Sequence, residues 1–504
     1  MAINTRSPYY VSISDASISY ATLNLYVWSG ALASVPATAQ YTLKKSIIST
    51  NTKVSFEVAE LIRDYIEVTF NGTYSGQAVY VKIDLEAFNS SDVSLETSTN
   101  TLFGFDGYSY FEEPTFNVDT NALLISNRTI FTLSDNLFRI PVYSAFAPTL
   151  TFYKGNEIIS TQIVNTSTDS TEQIKYISVY GSTTDYDTYA ERVIESGGVY
   201  EGSLCLNNFF DSIDAGVIDK VNVIGTRIGS EIIENGDFAT DSIWVKQGTA
   251  TISGGSANFV GAIGDWAGVS QSVVFEAGKT YIVTLDAVVT SGLGIKVQDS
   301  LVDSSIGVIT TTGSYTFEHT TATSTTLVIG RKDGASAFNC SVDNVSVKEK
   351  VESSDNIIIK TIDECKYEPK KVTFINKFGV LQDMYFFKKS VEKMKVKKES
   401  YKANIRNYSN TYSINEHVNR DFNVSGSESI TLSSGFLNET YNEVFKQMML
   451  SEKVWITNVL EGVEQVLPIN VKTSNITYKT SLNDRLVEYT FDFDNSYNTI
   501  NNIR

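Results

Sequence analysis

Apolar and polar residues alternate with a period of two in segments spread along this chain. The alternation is strict in residues 489–494, where Tyr, Phe and Phe are separated by Thr, Asp and Asp. Successive side chains of a β-strand point to opposite faces of a sheet, so such a segment buries one face and leaves the other in water. Counts of 28 Tyr, 27 Phe and 31 Gly against 7 Pro and 5 Met also favour strands and turns over helix bundles. The sequence therefore predicts a mostly β protein.

Length and charge limit the possible classes further. The chain has 504 residues, which corresponds to about three domains. Its net charge of −18 disfavours nucleic acid and anionic membranes as partners, and no run approaches the roughly 20 apolar residues that span a bilayer. Three scattered cysteines (Cys205, Cys340 and Cys365) fit neither a disulfide framework nor a metal knuckle. The first residues contain no apolar signal core, so we expect folding in a reducing cytoplasm.

A few short helices are expected among the strands. In two segments apolar residues recur at intervals of three and four, which places them on one helical face. These sets are Val58, Leu61, Ile62 and Tyr65 within 56–66, and Tyr441, Val444, Phe445, Met448 and Met449 after a candidate N-cap at Asn438. The methionine-rich face of the second helix is either buried in a core or a groove for a partner. Residues 188–195 and 206–213 are further candidates.

The composition changes abruptly near residue 231. From there to residue 350 the chain is rich in Gly, Ser, Thr, Val and Ala and poor in long charged side chains. This stretch contains, in order, 234–238 (ENGDF), Trp244, 277–281 (AGKTY), 312–317 (TGSYTF) and 341–347 (SVDNVSV). The Gly-Lys-Thr-Tyr segment at 278–281 predicts a tight turn that leads into a core strand. The ordered set resembles the jelly-roll carbohydrate-binding modules of bacterial glycosidases and phage fibres. The resemblance implies a β-sandwich whose termini leave from one end, so a host domain tolerates its insertion.

The same resemblance implies a glycan site built on aromatic rings. The C–H face of a pyranose packs on an exposed π-face, as aromatic rings do on one another. Trp266, preceded by a Gly-Asp pair, is the best candidate, either as a ligand platform or as a packing residue. Trp244 and Tyr315 are further candidates, but they suit the core better.

The resemblance also implies a structural calcium ion. Modules of this kind often hold one near their first and last strands with carboxylate and backbone oxygens. The matching positions are Glu234, Asp237 and Asp343. No other cofactor is expected.

The sequence on either side of this stretch resembles a different group of proteins. Segments 364–383, 446–456 and 478–486 are similar to structural tail proteins of phages that infect Bacteroidetes. This resemblance implies a virion protein that folds in the host cytoplasm and assembles with copies of itself and other tail proteins. The inserted module would point outwards, towards glycans of the host surface.

These observations divide the chain into four regions of multi-domain β-sandwich type. We predict an N-terminal β-sandwich at 1–145, an inserted jelly-roll module at 231–350, and a helix with a β-hairpin for assembly at 431–504. The segments next to the module, 221–224 and 357–362, are both β-branched. We therefore expect 146–230 and 351–430 to form one β-rich domain that the module splits.

One segment departs from the acidic balance of the chain. Residues 366–402 contain eleven lysines, four carboxylates and no arginine, a net charge of +7. This segment is a nucleic-acid patch, a solvated strand face, or a face that meets an acidic neighbour in an assembly. The absence of arginine favours the last two interpretations.

No catalytic motif is found in the sequence. Walker, Rossmann, HExxH, CxxC and GxSxG patterns are absent, and the two histidines, His319 and His417, lie in different predicted regions. A glycosidase needs two carboxyls about 5–10 Å apart in a cleft. Asp492 and Asp494 offer such a pair, but a solvated strand explains them better. We expect a non-enzymatic tail or baseplate protein, with a receptor-binding adhesin and, less favoured, a glycan depolymerase as alternatives.

Overall fold

A computed structural model of the chain describes residues 2–499 with internal gaps. The gaps are 49–50, 67, 75–77, 110–121, 133–136, 155–156, 164–173, 181–200, 203–219, 273–274, 300–304, 321–325, 333–335, 362–365, 405–410, 412, 461–462 and 478–485. The described chain is mostly β, as predicted, and contains two short helices. The candidate helices at 188–195 and 206–213 lie outside the described residues.

The chain folds into two compact units. The central unit spans Thr226–Glu352, and the flanking unit consists of Ala2–Gly225 and Ser353–Arg504. The predicted module at 231–350 lies within the bounds of the central unit. The other three predicted regions are 1–145, 146–230 with 351–430, and 431–504, and except for 226–230 and 351–352 their residues from Ala2 onwards lie in the flanking unit.

The elements are numbered in chain order. Up to residue 202 they are β1 (Ala2–Asn4), β2 (Tyr10–Ser14), β3 (Tyr20–Trp28), β4 (Tyr41–Ser46), β5 (Lys53–Glu57), α1 (Ala59–Arg63), β6 (Ala78–Phe88), β7 (Ser94–Phe105), β8 (Thr129–Thr132), β9 (Leu137–Tyr143), β10 (Thr149–Lys154), β11 (Glu157–Ile163), β12 (Ile174–Tyr180) and β13 (Glu201–Gly202). Then follow β14 (Lys220–Glu231), β15 (Val245–Gly248), β16 (Thr251–Ile252), β17 (Ala257–Gly261), β18 (Ala267–Gln271), β19 (Thr280–Ser291), β20 (Ile295–Gln298), β21 (Ser305–Ile309), β22 (Gly313–Thr320), β23 (Leu327–Arg331) and β24 (Phe338–Thr361). The remaining elements are β25 (Lys370–Ile375), β26 (Leu381–Phe386), β27 (Val391–Lys402), β28 (Asn419–Ser433), β29 (Leu437–Asn438), α2 (Tyr441–Leu450), β30 (Val454–Leu460), β31 (Val463–Val471), β32 (Leu486–Val487) and β33 (Thr490–Asn495).

The central unit is a sandwich of two antiparallel sheets. The front sheet has the strand order β15-β18-β23-β20-β21. The back sheet has the order β16-β17-β24-β19-β22. The chain crosses repeatedly between the two sheets, as in a jelly roll, and forms one hairpin within each sheet, β16-β17 and β20-β21. Apolar side chains from both sheets fill the core between them, together with aromatic residues of the back sheet and the loops, among them Phe259, Phe275 and Tyr281.

A tight turn leads into the long strand β19, as the sequence predicts. The amide of Lys279 donates to the carbonyl of Glu276 at 3.1 Å, and Gly278 has a φ of +82°. Glycine adopts this left-handed conformation without a steric penalty. The turn therefore starts β19 so that Tyr281 points into the core, where it is 1% exposed.

The first part of the flanking unit is built on a five-stranded sheet. Its strand order is β1-β7-β6-β3-β4, in which β1 runs parallel to β7, and the two-stranded sheet β2-β5 contributes to the same core. Helix α1 buries Ile62 in this core, and Val58, just before the helix, is buried as well. Tyr65 is 40% exposed, contrary to the predicted helical face, because the helix ends at Arg63.

A seven-stranded sheet organises the last part of the flanking unit. Its order is β26-β25-β30-β31-β33-β28-β27, and α2 packs on it with the predicted apolar face. The ring centroids of Phe445 and Phe491 are 5.2 Å apart, and Phe491 and Phe493 are buried as their alternation predicts. The N-cap is Thr440 and not Asn438, because Asn438 belongs to β29, which pairs with β32.

Strand pairing crosses two of the predicted region boundaries. The boundary at 430 falls inside β28, and the strands of the seven-stranded sheet lie on both sides of it. The boundary at 145 falls between β9 and β12, which pair with each other. Long-range strand pairing of this kind does not follow from the local composition of the chain.

In the part of the chain that the structure describes, no helix is both long and apolar enough to cross a membrane. The longer of the two described helices, α2, has 10 residues.

We expect Phe445→Ala to destabilise the flanking unit by about 3–5 kcal/mol, because it leaves a cavity among packed aromatic rings. Thermal unfolding followed by circular dichroism should show a midpoint lowered by roughly 5 °C or more. Leu450→Ala at the end of the same helix is the control. Leu450 is 48% exposed, so its removal should cost no more than about 0.5 kcal/mol. Equal shifts in both variants would contradict the packing described for α2.

Candidate functional site

The candidate site lies on the front sheet of the central unit. Four residues lie opposite one another across β15, β18, β23 and β20: Gln247, Gly268, Gly330 and Lys296. We call this set the glycine row. Directly opposite residues of antiparallel strands share one face of the sheet.

The glycine row points away from the core. The next row along the same strands contains Val269, Ile329 and Val297, each fully buried in the core of the central unit. Because side chains alternate between faces, the glycine row lies on the outer face. Across four strands spaced by about 4.8 Å, the row extends over about 14 Å.

The indole of Trp266 lies over the two glycines. A Cβ atom built on Gly268 would lie 3.1 Å from Cζ2 of Trp266, and one built on Gly330 would lie 3.1 Å from Cζ2 and Cη2. The indole therefore occupies the space that two opposite side chains would fill. Trp266 is nevertheless 41% exposed, so much of the ring remains open to solvent.

Local contacts hold Trp266 in this position. The turn before it closes through a hydrogen bond from the Asp265 amide to the Ala262 carbonyl at 3.2 Å. The buried guanidinium of Arg331 donates to the carbonyl of Asp265 and stacks 4.2 Å from the ring centroid of Phe338. The Nε1–H of Trp266 donates to Oε1 of Gln247 at 3.2 Å. The ring is thus fixed both by its backbone and by a neighbour in the glycine row.

The other two aromatic candidates lie elsewhere. Trp244 is 5% exposed, stacks 5.0 Å from Phe238, and donates Nε1–H to the carbonyl of Asn235 at 2.9 Å. Tyr315 lies on β22 of the back sheet, where its hydroxyl donates to the carbonyl of Thr311 at 2.7 Å. The structure therefore does not bring Trp244 and Tyr315 to Trp266.

The three carboxylates matched to a calcium site are engaged with backbone groups or exposed. Asp343 accepts a hydrogen bond from the Asn344 amide at 2.7 Å, and Asp237 accepts one from the Ala239 amide at 3.3 Å. Glu234 is exposed. Among the described residues no group of three or more His, Cys, Asp and Glu side chains is placed to hold a metal ion. The calcium ion therefore remains a prediction from the sequence.

The residues considered for catalysis have other contacts. His319 Nε2 lies 2.8 Å from a carboxylate oxygen of Asp299, a neighbour that the sequence did not indicate. Asp492 accepts a hydrogen bond from Thr431 at 2.5 Å, and Asp494 forms an ion pair with Lys472 at 3.2 Å.

The sequence indicated Trp266 but not the residues that surround it. Gly268, Gly330, Gln247 and Lys296 belong to four different strands and carry no motif. They form a site only through the strand register, which one sequence does not reveal.

Comparison with known proteins finds similarity to solved structures alone. No family model matches the chain, and no curated protein matches it. A structure described as "Family 16 Carbohydrate Binding Module-2" is 20% identical, with 23% of this chain and 98% of that chain covered and a TM-score of 0.17. One described as "CBM4 structure and function" is 16% identical, with 25% and 86% covered and a TM-score of 0.18. A third, on carbohydrate-binding modules of the β-sandwich superfamily, is 8% identical, with 68% and 97% covered and a TM-score of 0.13.

At these identities and TM-scores the likeness carries no argument about function. All three titles describe carbohydrate-binding modules, the group that the sequence of residues 231–350 resembles. The similarity to phage tail proteins remains a prediction from the sequence.

We expect Gly330→Ala to destabilise the central unit by about 1–3 kcal/mol. The added Cβ would lie 2.9 Å from the carbonyl oxygen of Ala267 and 3.1 Å from the indole of Trp266, so backbone and ring must both move. Gly313→Ala is the control, since its Cβ would meet Tyr315 at an ordinary 3.7 Å. Thermal unfolding should show a lowered midpoint for the first variant only. A Gly330→Ala protein that unfolds at the wild-type temperature would contradict the close contact between the Trp266 indole and Gly330.

Proposed function

We propose that the central unit binds glycans on the open side of Trp266, and that the chain carries this unit as a non-enzymatic structural protein of a phage tail or baseplate. The observation that carries the glycan proposal is the indole seated on Gly268 and Gly330. A ring held close to two glycines of a sheet and still 41% exposed offers an apolar surface of fixed position.

The chemistry of such a surface suits a sugar. A pyranose has one face of C–H groups that packs on a π-system and a rim of hydroxyls that need hydrogen-bond partners. The glycine row provides an amide at Gln247 and an ammonium group at Lys296 on the two sides of the ring. These groups supply donors and acceptors to hydroxyls, while the seated indole loses little conformational entropy on binding.

The tail or baseplate role is supported by the sequence. The flanking segments resemble structural tail proteins, and a surface-adhesion module suits a virion part that meets the host surface. Such a protein works as a multimer, in contact with copies of itself and with other tail proteins. Permanent assemblies bury more than about 2,000 Å² per interface, and the many Tyr, Phe and Val residues supply apolar area for this.

A receptor-binding adhesin is the second candidate, because the Trp266 surface would serve it equally well. In that case the sugar contact is the main task of the protein and the flanking unit is its carrier. Electron microscopy of the virion separates the two proposals. Labelled antibody on a ring or collar supports a structural part, and labelling of an extended fibre supports an adhesin.

We expect Trp266→Ala to reduce glycan affinity by at least about tenfold, which corresponds to the loss of roughly 1.4 kcal/mol of ring stacking. Affinity electrophoresis through gels that contain host capsule or other soluble polysaccharides measures this change as lost retardation. Because the ring is partly exposed, the melting temperature should remain close to that of the wild type.

Ile263→Ala is the matched control for this experiment. Ile263 is 70% exposed, lies in the turn before Trp266 and carries no π-face. Its variant should be retarded as strongly as the wild type. Equal retardation of the Trp266→Ala protein, or a wild-type protein that no polysaccharide retards, would overturn the glycan proposal.

A further inference from the structure

Strand β27 forms an open edge of the flanking unit. It ends the seven-stranded sheet and pairs with β28 on one side, while no strand of the described residues pairs with its other side. Strand β33 pairs with β28 only from Ser429 to Ser433. Residues 419–428 of β28 and the part of β27 that pairs with them therefore form a two-stranded ribbon. Such a ribbon is marginally stable in water by itself.

One face of this ribbon is a regular row of lysines. Lys393, Lys395 and Lys397 lie opposite Ser429, Ser427 and Ser425, respectively. We call the three lysines the lysine row. Alternate residues of a strand are about 6.8 Å apart, so the row presents positive charges at that interval. Among the described residues, Lys395 and Lys397 have no ion-pair partner, and all three side chains are exposed.

The opposite face of the ribbon is partly apolar. Met394 is 58% exposed and Val396 is 53% exposed, and both lie between the residues of the lysine row. A single lysine on an edge strand is a common guard against aggregation. Three lysines in register on one face, with exposed apolar side chains on the other, instead favour a surface that a partner covers.

We propose that the free edge of β27 receives an extended polypeptide strand with carboxylates at alternate positions. The unpaired amides and carbonyls of the edge would pair with the incoming strand, which is how strand addition gains its affinity. Carboxylates at every second residue of that strand face the lysine row at the same spacing, and cross-strand pairs of opposite charge stabilise a sheet. This contact is independent of Trp266 and does not rest on glycan binding.

A strand suits this edge better than a nucleic acid does. The lysine row contains no arginine, and its neighbours on the same face are serines, not aromatic rings for base stacking. The nearest aromatic pair, Tyr401 and Phe422, lies beyond a register shift and packs ring against ring at 5.6 Å. The chain as a whole carries a net charge of −18, so a second copy contains acidic segments.

The test uses the full chain and a fluorescein-labelled peptide in which threonine and glutamate alternate. A peptide of the same composition with its glutamates consecutive is the competitor of matched charge, and oligothymidylate is the polyanion control. Fluorescence anisotropy should show that the alternating peptide binds at least about fivefold more tightly than either, a ratio that corresponds to about 1 kcal/mol.

Lys395→Glu should weaken binding of the alternating peptide by at least about fivefold. Lys53→Glu makes the same change in net charge at an exposed lysine in β5 and should leave binding unchanged. Lys397→Glu provides a second test at the next position of the row. Circular dichroism checks that the variants keep the fold, which is expected because these side chains are exposed.

Several outcomes would overturn the proposal. They are equal affinity for the two peptides, higher affinity for oligothymidylate, no binding of the alternating peptide, and an equal loss of peptide affinity in Lys395→Glu and Lys53→Glu.

Sedimentation with the same variants identifies the source of the natural strand. An oligomer that Lys395→Glu dissociates assigns the acidic strand to a second copy of the chain. A chain that stays monomeric and binds the peptide assigns it to another acidic protein.

Discussion

Burial of one face of paired antiparallel strands is the constraint on which the structure depends. In the central unit two sheets enclose Phe259, Phe275 and Tyr281, and in the flanking unit Phe445 of α2 packs against Phe491 of the sheet. Burial of these faces determines the register of the strands that carry them, because a shift by one residue would turn their apolar side chains into water. The outer faces are then free to carry polar and charged groups, which is where both proposed contacts lie.

The two contacts use the outer faces in different ways. On the front sheet, two opposite glycines remove the β-carbons that would separate an indole from the backbone, so Trp266 lies against the sheet and keeps an open side. On the ribbon of β27 and β28 the sheet ends, and its last strand has one edge that no described strand pairs with, beside the lysine row. The first arrangement suits a sugar ring, which needs a flat apolar surface. The second suits a polypeptide strand, which needs hydrogen bonds at regular intervals.

Local signals in the sequence predicted local structure. The alternation around Phe491 and Phe493 predicted a strand with one buried face, and the Gly278 turn followed from its residues. Signals that depend on distant partners could not be found in this way. Asn438 has the chemistry of an N-cap, yet it pairs in a short strand with residues near 486. The sequence indicated Trp266 as a candidate but did not predict its position over two glycines, because Gly268 and Gly330 become neighbours only through strand pairing.

The environments of the four tryptophans allow a direct test of the central claim, that the open side of Trp266 is the glycan surface. Trp28, Trp244 and Trp455 are 5–7% exposed, and Trp266 is 41% exposed. NMR spectra of protein with ¹⁵N-labelled tryptophan resolve one indole N–H signal for each. When a retained polysaccharide or its oligosaccharides are added, the signal of Trp266 should shift and the other three should stay in place. A Trp266 signal that does not move while the glycan binds would contradict the account.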